Sequence, residues 1–298
     1  FHGRTLGSVA LTSSKATQRK GFGPLMPGVY HAPYADCYRC PVNLEPETCG
    51  AECLNFVDEQ IFVHLVSPEE VAAVVVEPIQ GEGGYLVPPK QFLQRLRELT
   101  RQHGILLVVD EVQSGMGRTG RMFACEHYDL EADVVTVAKG VASGMPLGVT
   151  SARADVMSWP PGSHASTFGG NPVCSAAALA TIKLLRGQLI RHAADVGAHL
   201  LAGLRDMSDR HPLIGDVRGK GLMIGVELVR DRATKERATD ECEAVVEAAF
   251  RRGVLLLSAG LNTVRFSPPL VFTKLQADIA LDVFDQALAQ VEREGSGL

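Results

Sequence analysis

No apolar run in these 298 residues approaches the roughly 20 consecutive positions that a helix needs to span a bilayer. The opening FHGRTLGSVAL lacks the layout of a secretory signal. With both missing, the sequence predicts no membrane association and a cytoplasmic location. There is no excess of one charge either. Lys and Arg number 29 against 34 Asp and Glu, a net charge of −5, which gives no basic footprint for nucleic acid or anionic lipid. Internal repeats and low-complexity tracts are absent. The cysteines (Cys37, Cys40, Cys49, Cys53, Cys125, Cys174 and Cys242) number 7, an odd count that argues against a full disulfide framework and predicts reduced thiols. The chain opens on Phe1 without an initiator Met and is expected to be a piece of something longer.

What is present is an ordinary globular composition, 46% hydrophobic and 21% charged, at a length near which cores begin to split into two. Between Glu69 and Gly148 a short apolar run, a polar residue at its end and a helical or Gly-rich segment follow one another repeatedly. The runs are VAAVVVEP (Val71 to Pro78), ILLVVDE (Ile105 to Glu111) and DVVTVAKG (Asp133 to Gly140). Continuous β-branched runs suit parallel strands buried on both faces. PPKQFLQRLRELTRQHG lies between the first two, with Phe92, Leu93, Leu96 and Leu99 at helical spacing, Pro at the start and Gly at the stop. The pattern predicts an α/β fold with a mostly parallel sheet, its site at the carboxyl ends of the strands. Helices are predicted from Pro172 and over Gln188 to Ser208. From His211 onward short strands and helices alternate, including a strand over Val254 to Leu257 and a terminal helix from Thr273 to Glu294. They predict a smaller α+β domain over 211–298, after a large domain over 1–210.

Glu77, Asp110 and Lys139 each stand at the end of one apolar run. A lone charged residue after a strand is usually a solvated turn residue. Three on successive parallel strands converge on one crevice. A lysine at a desolvated mouth loses its proton more readily than a free side chain and becomes an amine nucleophile. A neighbouring carboxylate is what a pyridinium nitrogen needs, and lysine with aspartate is the pairing that holds and tunes pyridoxal phosphate. The stretch VVDEVQSGMGRTG (Val108 to Gly120) also contains a literal GxGxxG. A dinucleotide turn needs its first glycine at the strand end and an acid at the end of the next strand, where this chain has Lys139, so that reading is set aside.

EPIQGEGG, VVDEVQSGMGRTG, TVAKG and STFGGNP, with FHGRT at the start and VRFSPPL near the end, together resemble the class III pyridoxal-phosphate aminotransferases, the family of 4-aminobutyrate, ornithine and acetylornithine aminotransferases. The resemblance runs over nearly the whole chain. It implies the fold type I scaffold of pyridoxal-phosphate enzymes, transfer of an amino group from an ω-amino donor to a 2-oxo acid, and a homodimer. By the same resemblance Lys139 would carry the cofactor as a Schiff base and shuttle the substrate proton, Asp110 would pair with the pyridine nitrogen, and Glu77 would orient the site. Val112 and Phe1 would flank the ring, with His2 beside Phe1 and Gln113 near the phenolic oxygen. Glu82 would be the switchable partner of Arg265, which would take the substrate carboxylate. Thr167 would reach the phosphate in the neighbouring subunit.

The same scaffold also supports amino-acid racemisation or decarboxylation. The portion that the family carries ahead of FHGRT, with its phosphate-cupping turn, is expected to be missing, which leaves open a partial, non-catalytic protein. Cys37, Cys40, Cys49 and Cys53 have spacing compatible with a structural zinc site, against a reading as free loop thiols.

Overall fold

The apolar runs become strands because β-branched side chains fit an extended backbone covered on both faces. The computed structural model describes residues 1–295. Helices α1 (Leu6–Leu11) and α2 (Phe62–His64) precede β1 (Ala73–Val76), and α3 (Lys90–Gln102) separates it from β2 (Leu106–Asp110) and β3 (Val134–Val137). Val76 lies opposite Val109 and Asp110 opposite Thr136 in two parallel pairings. The carboxyl ends of all three strands therefore share one edge, as expected for an α/β sheet. The sheet order is β1-β2-β3-β4, and β4 (Val149–Ala152) is antiparallel to β3. That last strand was not legible, since VTSA is short and mostly exposed.

Helix α3 buries Phe92, Leu93, Leu96 and Leu99 along one stripe, each fully buried aliphatic side chain contributing about 1.5–3 kcal/mol. Its polar face is tied to the sheet through Arg97, which donates to both oxygens of Asp133 at 2.5 and 3.0 Å. Asp133 is 1% exposed and also accepts from Leu107 N at 2.8 Å and Arg153 Nη1 at 2.6 Å. Burial alone would raise its pKa, but the Arg97 and Leu107 bonds and the two guanidiniums outweigh burial and hold the carboxyl below its ordinary value. Its stabilisation is therefore complete above the unfolded carboxylate pKa of about 3.9 and is lost as pH falls through the lowered folded value. Asp133→Asn, which keeps the shape but strips the charge, is expected to cost about 1.5–3 kcal/mol at pH 7 and little in acid, as read by urea unfolding at the two pH values.

The second sheet has the order β5-β6-β9-β8, built from β5 (Ile214–Lys220), β6 (Met223–Asp231), β8 (Leu257–Ala259) and β9 (Thr263–Phe266), with β7 (Glu236–Arg237) on β6. Every pairing in it is antiparallel. Helices α5 (Ile190–Ser208), α6 (Thr239–Arg251) and α7 (Lys274–Gly295) enclose its core of Leu200, Leu204, Ile214, Val226, Val264 and Phe284. The predicted strand at Val254 starts only at Leu257.

The chain divides into two compact units: Phe1–Ile79, Pro88–Gly117 and Arg121–Gln188 in one, Gln80–Val87, Arg118–Gly120 and Leu189–Leu298 in the other. This division comes earlier than the sequence boundary at 210, because α5 buries Ala193, Val196, Leu200 and Leu204 in the second core. Two short early segments also belong to the second unit, which no linear reading separates.

Helix α4 (Pro172–Leu184) leads through a π-turn at Leu185–Leu189 into α5. The helical run Pro172–Ser208 is long and apolar enough to cross a membrane by length and composition alone. Polar residues such as Ser175, Thr181 and Lys183 interrupt it, so it is not a continuous apolar run, and α5 buries its own stripe in the second core.

Candidate active site

The sequence ends each parallel strand with a polar residue, and parallel pairing brings those ends to one edge of the first unit's sheet. Glu77 follows β1 and Asp110 closes β2, each 7% exposed. Lys139 opens the single turn Lys139–Ala142 just beyond β3.

Buried acids must be satisfied, and both are. Asp110 Oδ1 accepts from Val112 N at 2.9 Å, and Oδ2 lies 2.7 Å from His2 Nδ1. Burial alone would raise the Asp110 pKa, but the His2 and Val112 hydrogen bonds and the charge at His2 hold it below the ordinary value. Glu77 Oε1 accepts from Phe1 N at 2.8 Å, while the Glu77 carbonyl accepts from Tyr34 Oη at 3.0 Å. Consecutive residues Phe1 and His2 thus bridge the ends of β1 and β2. His2 is fixed in turn by its own N–H, which donates to Oγ1 of fully buried Thr12 at 2.9 Å.

Lys139 departs from expectation in one respect: it is exposed rather than desolvated. Its backbone φ is +45°, a left-handed conformation that costs a lysine energy and persists only where the surrounding fold enforces it. Gln113 sits half-buried in the turn after Asp110 and Val112, and Thr167 stands in an exposed stretch ahead of α4, outside this hydrogen-bonded group.

Glu111 escaped the sequence reading. It is fully buried, and its oxygens accept from Ser114 Oγ at 2.6 Å and Cys125 N at 2.8 Å, which pins the turn carrying Val112 and Gln113. Burial pushes its carboxyl up. The available signal was a second acid beside Asp110 directly after a continuous apolar run. No helix begins within GMGRTG, where a dinucleotide turn would need one.

In the second unit, Arg265 Nη1 donates to Glu82 Oε1 at 2.7 Å, with side chains 19% and 25% exposed. Residues 183 positions apart in sequence are therefore one ion pair.

The zinc reading of the cysteines is not supported. Among the described residues no group of three or more His, Cys, Asp or Glu is arranged to hold a metal. Cys37, Cys40, Cys49 and Cys53 are free thiols, and burial followed by the neighbouring thiols pushes Cys53 up to about 11.

The family model described as aminotransferase class-III matches residues 1–288. A leucine/methionine racemase of Thermococcus litoralis is 44% identical over 294 residues, covering 98% of this chain and 66% of the relative. A 4-aminobutyrate aminotransferase of Mycobacterium leprae is 39% identical over 300 residues, covering 97% and 65%. Among solved structures, an amine transaminase from an uncultivated Pseudomonas species, in its PLP-bound (internal aldimine) form, superposes with a TM-score of 0.90 at 34% identity, covering 97% of this chain and 68% of that one. The chain spans about two thirds of the length of the curated relatives it matches.

Proposed function

Because the chain belongs to the class-III aminotransferase family, we propose that it is the greater part of a pyridoxal-phosphate enzyme that transfers an amino group from an ω-amino donor, such as 4-aminobutyrate or acetylornithine, to a 2-oxo acid such as 2-oxoglutarate. The observation that carries the reading is the Glu82–Arg265 ion pair at 2.7 Å. An arginine masked by a movable glutamate can accept a carboxylate in one half-reaction and be neutralised in the other.

The donor set fits the cofactor. Asp110 is a carboxylate held ionised by His2 and Val112, as a protonated ring nitrogen requires. Phe1 and Val112 offer apolar faces, Gln113 a hydrogen bond and Lys139 an amine. When bound, pyridoxal phosphate supplies an electron sink for the carbanion left at the amino acid Cα. The protein's own tasks are then separable. Lys139 takes and returns the Cα proton, Asp110 keeps positive charge at the ring nitrogen, His2 and Glu77 hold that edge in place, and Arg265 binds carboxylate. The working unit is taken as two copies of the chain, with exposed Thr167 reaching the partner's cofactor phosphate.

Arg265→Ala is expected to raise the KM for 2-oxoglutarate about 10- to 100-fold, the value of a charge-assisted pair, with a smaller change in kcat. Steady-state kinetics with varied acceptor checks it, and an unchanged KM would remove Arg265 from the substrate site.

A second reading is racemisation, favoured because the Thermococcus racemase is 44% identical where the Mycobacterium aminotransferase is 39%. Incubation of L-leucine in deuterated water without any 2-oxo acid separates the two. Deuterated D-leucine in catalytic amounts means racemisation, whereas product formation that depends on the acceptor means transamination.

A further inference from the structure

Arg218, Gly225 and Arg265 are partners in register across β5, β6 and β9, so they form one row on a single face of the second sheet. The two arginines flank a residue with no side chain. The loop Gly81–Tyr85 lies over that gap: a Cβ at Gly225 would stand 2.9 Å from Tyr85 Cβ and 3.4 Å from the Gly84 carbonyl oxygen.

The loop is held from both ends of the row. At one end Glu82 pairs with Arg265. At the other, Arg218 donates from Nη2 to the Gly84 carbonyl at 2.7 Å and from Nε to the Tyr85 carbonyl at 3.2 Å. Gly260 N donates to the Glu82 carbonyl at 2.9 Å from a backbone at φ +59°. Tyr85 is itself left-handed at φ +54°, a strained conformation for a large side chain, and Arg218 grips its carbonyl.

Arg218 is 11% exposed, and its charge is met by Glu227 at 2.8 Å and Asp216 at 2.7 Å. A guanidinium compensated in this way does not compete with Arg265 for Glu82 or for a substrate carboxylate. Its remaining donors go to the Gly84 and Tyr85 carbonyls and to Thr263 Oγ1 at 3.2 Å.

We propose that Arg218 is a positioning residue for the Glu82–Arg265 pair: by clamping Gly84 and Tyr85 over Gly225 it fixes the backbone at Glu82, so that the exchange between donor and acceptor is a swing of the Glu82 side chain alone. The inference rests on the reading of Arg265 as the carboxylate-binding residue. Arg218 thereby sets how strongly the glutamate masks that arginine, and with it the preference between an ω-amine and a dicarboxylate.

The test is calorimetric titration of the reconstituted holoenzyme with glutarate, a dicarboxylate that cannot react. With the clamp gone, Arg218→Gln is expected to lower the glutarate Kd about fivefold, toward the value for Glu82→Gln, as a part-buried ion pair would predict. Gly225→Ala, which displaces the loop without removing charge, is expected to shift Kd in the same direction. In turnover, the KM for 4-aminobutyrate rises in both variants while that for 2-oxoglutarate does not. A glutarate Kd that is unchanged or weakened in Arg218→Gln and Gly225→Ala, while Glu82→Gln tightens it, overturns the clamp. An unchanged Kd in both Glu82→Gln and Arg265→Ala removes the carboxylate reading itself, and the clamp with it.

Discussion

Lys139→Ala is expected to lower turnover by about 10⁴-fold, the upper range for removing a general acid–base group, and to abolish the visible absorption that pyridoxal phosphate gains on binding. The expectation follows from where the chain puts this amine. Parallel pairing of β1, β2 and β3 brings Glu77, Asp110 and Lys139 to one sheet edge, and the backbone at Lys139 is held at φ +45°. Lys139→Arg sharpens the test. The guanidinium keeps the positive charge but cannot surrender a proton, so a charge-only role would be rescued and a proton-transfer role would not. Activity of the arginine variant within tenfold of the parent would end the assignment. Stopped-flow absorbance and single-turnover product analysis read both variants.

The parts of the fold that were legible are those whose cause is local. The β-branched runs specify β1 to β3 and the Phe92–Leu99 stripe specifies α3, because each is a periodicity within a few residues. The strand-end positions of Glu77, Asp110 and Lys139 follow from those runs. What failed depended on distant covering. Nothing in the text near Ile190 says that α5 buries its stripe in the second core, or that Gln80–Val87 travels with that core. The pairing of Glu82 with Arg265 came from resemblance, since a separation of 183 residues leaves no local signature. Arg218 gave no signal at all. In VRGKG it reads as a surface charge, and only the register with Gly225 and Arg265 reveals its position. Glu111 sat beside a more informative acid and was passed over, although complete burial makes it costlier to misplace than its neighbour.

Asp110→Asn is expected to reduce kcat by about 10²–10³-fold while changing thermal stability little, the loss typical of removing one preorganised electrostatic partner. Asparagine keeps the shape and can still accept from Val112 N and face His2, so the bonds at 2.9 and 2.7 Å have a counterpart in the variant. What disappears is the negative charge. The lowered pKa of Asp110 means that this charge is present at every pH above the ordinary carboxylate value of about 3.9, so the acid limb of a pH–rate profile between 5 and 8 does not belong to it. The profile of Asp110→Asn should therefore be displaced downward without a shift in its limbs. His2→Phe should act through the same carboxylate in the same sense but more weakly, raising the Asp110 pKa by removing its largest favourable contact and leaving Val112 N–H as the main group opposing burial. An Asp110→Asn enzyme that kept more than a tenth of the parent kcat would show that hydrogen bonding, and not charge, is what the site draws from this strand end.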